Sequence, residues 1–153
     1  MRKKIYFWAI VFFLFDLISK ILLSSFLHEE ITVINDFFYL TLTNNTGGAF
    51  SLFSGYTYVL AIIGILVLVY LDRGFIKKDM SLLSSFSMSL LIGGVFGNLF
   101  DRIIHGYVID FLRFKIFGYN FPVFNIAGIC ICIGVLLLII DLIRGEKDGN
   151  KSR

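Results

Sequence analysis

Four long apolar segments dominate the hydropathy pattern of this chain, and shorter polar stretches separate them. The segments are residues 5–27, 56–71, 81–104 and 123–143. An α-helix rises about 1.5 Å per residue, so about 20 apolar residues cross the hydrocarbon of a bilayer. The second segment falls short of that length unless flanking residues extend it. The pattern therefore predicts an all-α membrane protein with four transmembrane helices.

A different periodicity occurs in the two longer loops. Apolar and polar residues alternate within residues 31–53, most clearly over 38–43, and a turn-forming run follows at 44–48. This alternation is typical of a β-strand. Residues 111–121 alternate less regularly around 118–120, which predicts a hairpin or an interfacial segment. Because lipid does not tolerate open sheet edges, we expect a small β-element at the outer membrane surface.

The composition agrees with a membrane location. Of the 153 residues, 58% are hydrophobic and only one is proline, which is more apolar surface than a soluble domain of this length could cover. We expect Pro122 in the first turn of the fourth helix, where a missing N–H costs nothing. No linker or repeat divides the chain, so residues 1–153 are interpreted as a single domain.

The positions of lysine and arginine predict the orientation. Of the fourteen, two lie inside the apolar segments and two, Arg113 and Lys115, in the longer loops. The other ten lie at the two ends of the chain or between the second and third segments. Positively charged loops remain in the cytoplasm, so both termini are predicted to be cytoplasmic. The net charge of +3 then reflects topology and is no argument for nucleic-acid binding.

Ionisable residues within the third apolar segment mark a candidate functional site, because such residues are costly in a membrane. Asn98, Asp101 and Arg102 share one helical face at spacings of three and four residues. Asp101 and Arg102 are interpreted as a structural ion pair. Asp110, which we expect near the end of this helix, has no cation at helical spacing before it and is the first candidate for chemistry.

The remaining polar and small residues within the segments predict contacts between helices. Asp16 and Lys20 form an i,i+4 pair in the favourable orientation, interpreted as a structural pair that fixes the first helix against the others. Gly93, Gly94 and Gly97 are expected to let another helix approach closely.

Four short blocks of the sequence carry a resemblance to a known family. They are Asp16-Leu-Ile-Ser19-Lys20, Asn45-Thr-Gly47-Gly-Ala49-Phe50, Gly97-Asn98-Leu-Phe-Asp101-Arg102 with Gly106-Tyr-Val-Ile-Asp110-Phe111, and Phe124-Asn125-Ile-Ala127-Gly128. In this order they resemble the lipoprotein signal peptidases, the signal peptidase II family, whose motifs are D-x-x-[ST]-K, N-x-G-x-A-[FW], G-N-x-x-D-R with G-x-[VI]-[VI]-D-F, and F-N-x-A-D. The resemblance includes almost the whole chain, from residue 16 to residue 143.

The resemblance implies an intramembrane aspartyl endopeptidase of the bacterial cytoplasmic membrane. Such an enzyme removes signal peptides from diacylglyceryl-modified prolipoproteins, and we expect it to act as a monomer among membrane lipids, without metal or cofactor. The implied catalytic positions are Asp110 and position 128. The implied lining or substrate-binding residues are Asn45, Gly47, Asn98, Arg102 and Asn125, and Asp16, Lys20 and Asp101 are implied to be structural.

The sequence departs from the family pattern at one decisive position. The second catalytic aspartate is expected at position 128, where this chain has glycine. Asp141 cannot replace it, because thirteen residues of helix separate the two positions by about 20 Å. We therefore expect the chain to bind a lipoprotein signal and to cleave it hardly at all.

Two other classes of function remain open from the sequence. A non-catalytic protein could capture lipidated signal peptides and would show affinity without turnover. A small proton or ion conduit could use Asp16, Lys20, Asp101 and Asp110 as a relay, and would need these groups along one continuous water path.

Overall fold

The computed structural model describes residues 1–48, 52–76 and 80–150, with side chains described up to residue 144. Within these residues, four helices are each long and apolar enough to cross a membrane, the second of them only together with the turn that extends it, as the sequence predicted. They are α1 (Arg2–Phe26), α2 (Thr57–Tyr70), α3 (Leu82–His105) and α4 (Ile126–Asn150). Helix α3 is the most buried of the four and contacts the other three.

The second helix is longer than predicted. Helix α2 continues as a π-helical turn, Leu71–Phe75, so the helical segment Thr57–Phe75 has 19 residues and can cross the hydrocarbon. The sequence left this extension by flanking residues open, because Asp72 interrupts the apolar run after residue 71. Asp72 accepts hydrogen bonds from the side chains of Arg2 and Tyr6 on α1, which places its charge in a polar cluster.

The fourth helix begins later than predicted. Helix α4 starts at Ile126, and Pro122 therefore does not lie in its first turn. Phe124 forms a β-bridge with Leu112, with N–H···O distances of 3.0 Å from Phe124 and 2.8 Å from Leu112. This pairing between distant parts of the chain holds the residues before the helix in an extended conformation.

The two loops form a small antiparallel sheet in the order β1-β2-β3-β4. Its strands are β1 (Ile31–Ile34), β2 (Phe38–Asn45), β3 (Val108–Ile116) and β4 (Tyr119–Asn120). The strand expected within residues 31–53 is thus present, and the irregular alternation over 111–121 belongs to a hairpin. Gly118 in its turn has a φ of 80°, a backbone conformation that favours glycine.

Glycines set the distances between the central helices, as expected. A Cβ atom on Gly93 would lie 2.6 Å from the carbonyl oxygen of Ala9 on α1. A Cβ atom on Gly94 would lie 2.5 Å from the carbonyl oxygen of Ala127 on α4. Both distances are too short for carbon against oxygen, so α1 and α4 can pack this closely against α3 only because these positions have no side chain.

Candidate active site

Asp110 lies on strand β3, two residues beyond its start. The expectation that it stands near the end of a helix was wrong, because α3 ends at His105 and Gly106 reverses the chain with a φ of 78°. Along a strand every second side chain points to the same face. Asp110 therefore shares a face with Val108, and Val108 pairs with Asn45 on β2. This register brings an amide of β2 to the carboxyl group of β3.

Two side-chain amides bind the carboxyl group of Asp110. Asn45 Nδ2 donates to Oδ2 at 2.8 Å, and Asn125 Nδ2 donates to Oδ1 at 2.7 Å. Asp110 is only 5% exposed. Burial raises the pKa of Asp110 to about 6, against the hydrogen bond from Asn45 and the charges of Lys20 and Arg102. The carboxyl group can therefore exchange a proton close to neutral pH.

Asn125 connects Asp110 to the start of helix α4. It directly precedes Ile126, the first residue of that helix, and its Oδ1 accepts the backbone N–H of Gly128 at 2.7 Å. This is the arrangement of a helix N-cap. Asn125 Nδ2 also lies 3.0 Å from Asn98 Oδ1 on α3. One buried amide thus brings Asp110, Gly128 and Asn98 together.

The backbone at Gly128 can accept a side chain. A Cβ atom there would meet Asn125 Oδ1 at 3.3 Å and the Cβ atom of Phe124 at 4.0 Å. The contact with Asn125 Oδ1 is close, yet the side chain of Asn125 would have to shift by only a few tenths of an ångström. In contrast to Gly93 and Gly94, the glycine at this position is not required by helix packing.

Asp110 and Gly128 both line a cavity of about 570 Å³. Helices α2, α3 and α4 form its apolar walls, with Leu60, Leu99 and Ile129 among them. The polar lining residues are Asn45, Asn98, Arg102, Asp110 and Asn125. Within the described part of the chain, no three His, Cys, Asp or Glu side chains lie close enough together to hold a metal ion.

Arg102 binds the loop after β2, and the predicted ion pair between Asp101 and Arg102 was wrong. Arg102 Nη2 donates to the carbonyl oxygen of Gly47 at 2.6 Å, and Nη1 donates to that of Asn98 at 3.2 Å. Adjacent residues on a helix do not face each other. Gly47 contributes through its backbone, and its own N–H donates to Asn45 Oδ1 at 2.9 Å.

Asp101 instead belongs to a buried ionic network with Lys20 and Asp16. Lys20 Nζ lies 2.6 Å from Asp16 Oδ2, as the i,i+4 spacing predicted, and 2.8 Å from Asp101 Oδ2. All three residues are 1% exposed. The network therefore joins α1 to α3 through a cation between two carboxylates.

Each carboxylate of this network also binds a backbone amide beside the cavity. Asp101 Oδ2 accepts the N–H of Ile109 at 3.0 Å, and Asp16 Oδ1 accepts the N–H of Ala127 at 2.8 Å. These amides belong to the residues immediately before Asp110 and Gly128. Sequence reasoning missed this link, and its one available signal was the presence of charged residues in two different apolar segments.

A further residue near the site was missed from the sequence. Thr57, the first residue of α2, is buried, and its Oγ1 donates to the carbonyl oxygen of Thr46 at 2.8 Å. This bond holds the loop after β2 against the wall of the cavity. Its position at a predicted helix start was the available signal, because threonine there often bonds to nearby backbone.

Comparison with known proteins identifies relatives for nearly the whole chain. A family model described as signal peptidase (SPase) II matches residues 8–144. The chain is 39% identical over 135 residues to the lipoprotein signal peptidase of Neisseria meningitidis serogroup C, with 85% of this chain and 82% of that protein covered. It is 37% identical over 148 residues to that of Halothermothrix orenii, with 95% and 99% covered.

Two solved structures are similar to this chain over nearly its whole length. A bacterial membrane enzyme solved by the in meso method at 2.3 Å resolution has a TM-score of 0.87 and 34% sequence identity, with 95% of this chain and 91% of that chain covered. A second such enzyme, solved at 1.9 Å, has a TM-score of 0.81 and 36% identity, with 92% of each chain covered. The family match and the curated relatives together show that this chain belongs to the signal peptidase II family, the lipoprotein signal peptidases.

Proposed function

We propose that this chain binds diacylglyceryl-modified bacterial prolipoproteins in the cavity between α2, α3 and α4, with the bond before the modified cysteine next to Asp110. Family membership supports the substrate class. The observation that carries the proposal is the single carboxyl group of Asp110, which two amides hold at the polar end of an otherwise apolar cavity.

The proposed reaction requires a second carboxyl group at position 128. Two neighbouring carboxyl groups share one proton, so one can act as base while the other acts as acid. The base takes a proton from the attacking water, and the acid donates a proton to the carbonyl oxygen of the peptide bond. With Gly128 only Asp110 remains, so we infer that this chain binds its substrate and turns it over very slowly.

The other polar residues have supporting roles in this proposal. Asn45 and Asn125 orient the carboxyl group of Asp110, and Asn98 orients Asn125. Arg102 fixes the loop that contains Gly47. Asp16, Lys20 and Asp101 are assigned a structural role, because they contact one another and backbone amides in a sealed cluster.

We further propose that both termini are cytoplasmic and that the sheet lies at the outer membrane surface. The distribution of lysine and arginine supports this orientation. The chain order supports it too, because β2 precedes α2 and β3 follows α3. Asp110 and Gly128 would then lie near the outer leaflet, where a translocated signal peptide presents its cleavage site.

A non-catalytic binding protein remains the second candidate function. It is favoured by the combination of an intact cavity with glycine at position 128. The peptidase and the binding protein should have the same affinity for a prolipoprotein. They differ in whether Gly128→Asp, which restores a carboxyl group at position 128, cleaves it.

Cleavage of a synthetic diacylglyceryl-modified prolipoprotein in lipid nanodiscs tests the proposal. A positioned general base contributes about 10²–10⁴-fold to the rate, so Gly128→Asp should cleave at least about 100-fold faster than the present chain. Adding Asp110→Asn to Gly128→Asp should abolish the gain. Measurable cleavage at equal rates by the present chain and Gly128→Asp would refute the two-carboxyl mechanism. Binding by both proteins without cleavage by either would favour the non-catalytic function.

A further inference from the structure

The cavity has unfilled space directly in front of Gly128. Apart from residues 127 and 129 and the backbone of the same helix, the described residues place two heavy atoms within 4 Å of the position that a Cβ atom would take, Asn125 Oδ1 and the Cβ atom of Phe124. The cavity volume is about 570 Å³, and one water molecule occupies about 30 Å³ in the liquid. The cavity that Gly128 and Asp110 both line therefore has room for a molecule of four heavy atoms.

The polar groups around this space suit a carboxylic acid. Asp110 lines the same cavity with both carboxyl oxygens held by amides, and a carboxyl group whose pKa is about 6 can donate a proton to a second carboxylate. Arg102 lines the same cavity, and its Nε is buried without a hydrogen-bond partner among the described residues. A buried unpaired N–H is costly, and guanidinium groups pair well with carboxylates.

The charged groups near Asp110 can balance one negative charge that Asp110 shares with a second carboxyl group. Lys20 of α1 and Arg102 of α3 are cations that favour the ionised form, and Asp101 of α3 disfavours it. Asp101 is itself paired with Lys20 at 2.8 Å. Two carboxyl groups that share one proton add a single negative charge, which Arg102 can balance.

We propose that the space between Gly128 and Asp110 is a binding site for a small monocarboxylic acid, and that acetate bound there takes the place of an aspartate side chain. Acetate has the same four heavy atoms as that side chain, and because it is not bonded to the Cα atom, it would lie in van der Waals contact with Gly128 and direct its carboxylate toward Asp110. Bound acetate would then restore peptide-bond cleavage to the chain as it stands. This inference rests on the proposed function and extends it to a ligand.

The restored reaction balances without any further reactant. The oxygen of a water molecule bonds to the carbonyl carbon while acetate accepts a proton from that water. Protonated Asp110 donates its proton to the carbonyl oxygen. When the tetrahedral intermediate collapses, the C–N bond breaks, the nitrogen takes the proton from acetic acid, and the hydroxyl proton returns to Asp110. The products are a carboxylic acid and an amine, and acetate is regenerated.

Titration of the present chain with acetate in nanodiscs tests the inference. The rate of prolipoprotein cleavage should rise by at least about tenfold and then saturate, since a positioned base contributes about 10²–10⁴-fold. Sodium chloride at equal ionic strength and acetamide, which has the same shape and no charge, should give no increase. Gly128→Ala fills part of the space next to residue 128 with a methyl group, so this variant should respond to the smaller formate and no longer to acetate.

Two variants and one binding measurement separate the possible failures. Gly128→Asp should cleave without acetate and gain nothing from it, and Asp110→Asn should show no rescue. If Gly128→Asp cleaves and acetate has no effect beyond that of chloride, the inference is wrong and the proposed function stands. If neither Gly128→Asp nor the present chain with acetate cleaves the substrate, the proposed function fails. Saturation-transfer NMR of acetate then tests the acetate site by itself. Acetate binding to the present chain and not to Gly128→Asp supports the site, and equal or absent binding overturns it.

Discussion

Two carboxyl groups only nine positions apart in the sequence lie in opposite surroundings. Asp101 is paired with the ammonium group of Lys20 in a sealed network. Asp110 is held by the neutral amides of Asn45 and Asn125 at the edge of a cavity. A cation fixes the charge of its carboxylate, whereas amides hold a carboxyl group in place and leave its protonation free to change. The contrast shows why Asp110, and not Asp101, is suited to proton transfer.

The ionic network around Asp101 and the cavity site around Asp110 are nevertheless connected by hydrogen bonds. Asp101 accepts the backbone N–H of Ile109, and Asp16 accepts that of Ala127. Each bond holds the residue immediately before one of the two positions, 110 and 128, that face the cavity. The rigid ionic network thus fixes the backbone on which the open site is built.

The largest expected effect comes from removing the shared cation. Lys20→Met leaves the carboxylates of Asp16 and Asp101 buried without their shared cation, and removing one partner of a buried ion pair costs about 3–5 kcal/mol. The variant should lose folded yield or unfold at a much lower temperature in detergent. Lys115→Met is the matched control, because Lys115 pairs with the exposed Asp36 and such pairs contribute about 0–1 kcal/mol. Equal stability of the two variants would contradict the distinction between the regions.

A smaller effect is expected where the open site meets helix α4. Asn125→Ala removes an N-cap, which costs about 0.5–2 kcal/mol, and one of the two amides that orient Asp110. In the Gly128→Asp background this variant should also lose cleavage rate at saturating substrate. Asn120→Ala, in the exposed strand β4, should change neither stability nor rate. A rate that survives Asn125→Ala would show that Asp110 is oriented without this amide.

The smallest change concerns the titration of Asp110. The hydrogen bond from Asn45 lowers the pKa of Asp110 and opposes the effect of burial, so Asn45→Ala should move that pKa above about 6. Site-specific ¹³C NMR of the Asp110 carboxyl group measures the shift. Asn44→Ala, on the opposite face of β2, should leave the titration unchanged. A fall in the pKa after Asn45→Ala would contradict this account of the site.

The sequence predicted the elements and left most long-range partners open. Hydropathy located the four helices, and alternation located β2, because both patterns are local. The extension of α2 stayed open and the start of α4 was wrong because each depends on a partner in another element: Asp72 bonds to α1 and Phe124 pairs with β3. The prediction that Arg102 is the partner of Asp101 was wrong for the same reason. Spacing along one helix does not show which neighbouring helix supplies a cation, here Lys20 of α1.

The resemblance named residues that the structure gathers around one cavity, yet it did not indicate how they are connected. Asn45 reaches Asp110 through the register of β2 against β3. Asn125 reaches it because the chain before α4 is extended along β3. Both connections follow from strand pairing, which no motif spacing encodes.

The central claim is that Asp110 is one half of a carboxyl pair whose other half is missing at position 128. Site-specific ¹³C NMR titration of the Asp110 carboxyl group tests it most directly. In the present chain Asp110 should titrate in one step with a pKa near 6. In Gly128→Asp the group should follow two coupled steps, one below and one above that value, because the titration then belongs to the pair. A single unchanged step in Gly128→Asp would contradict the account.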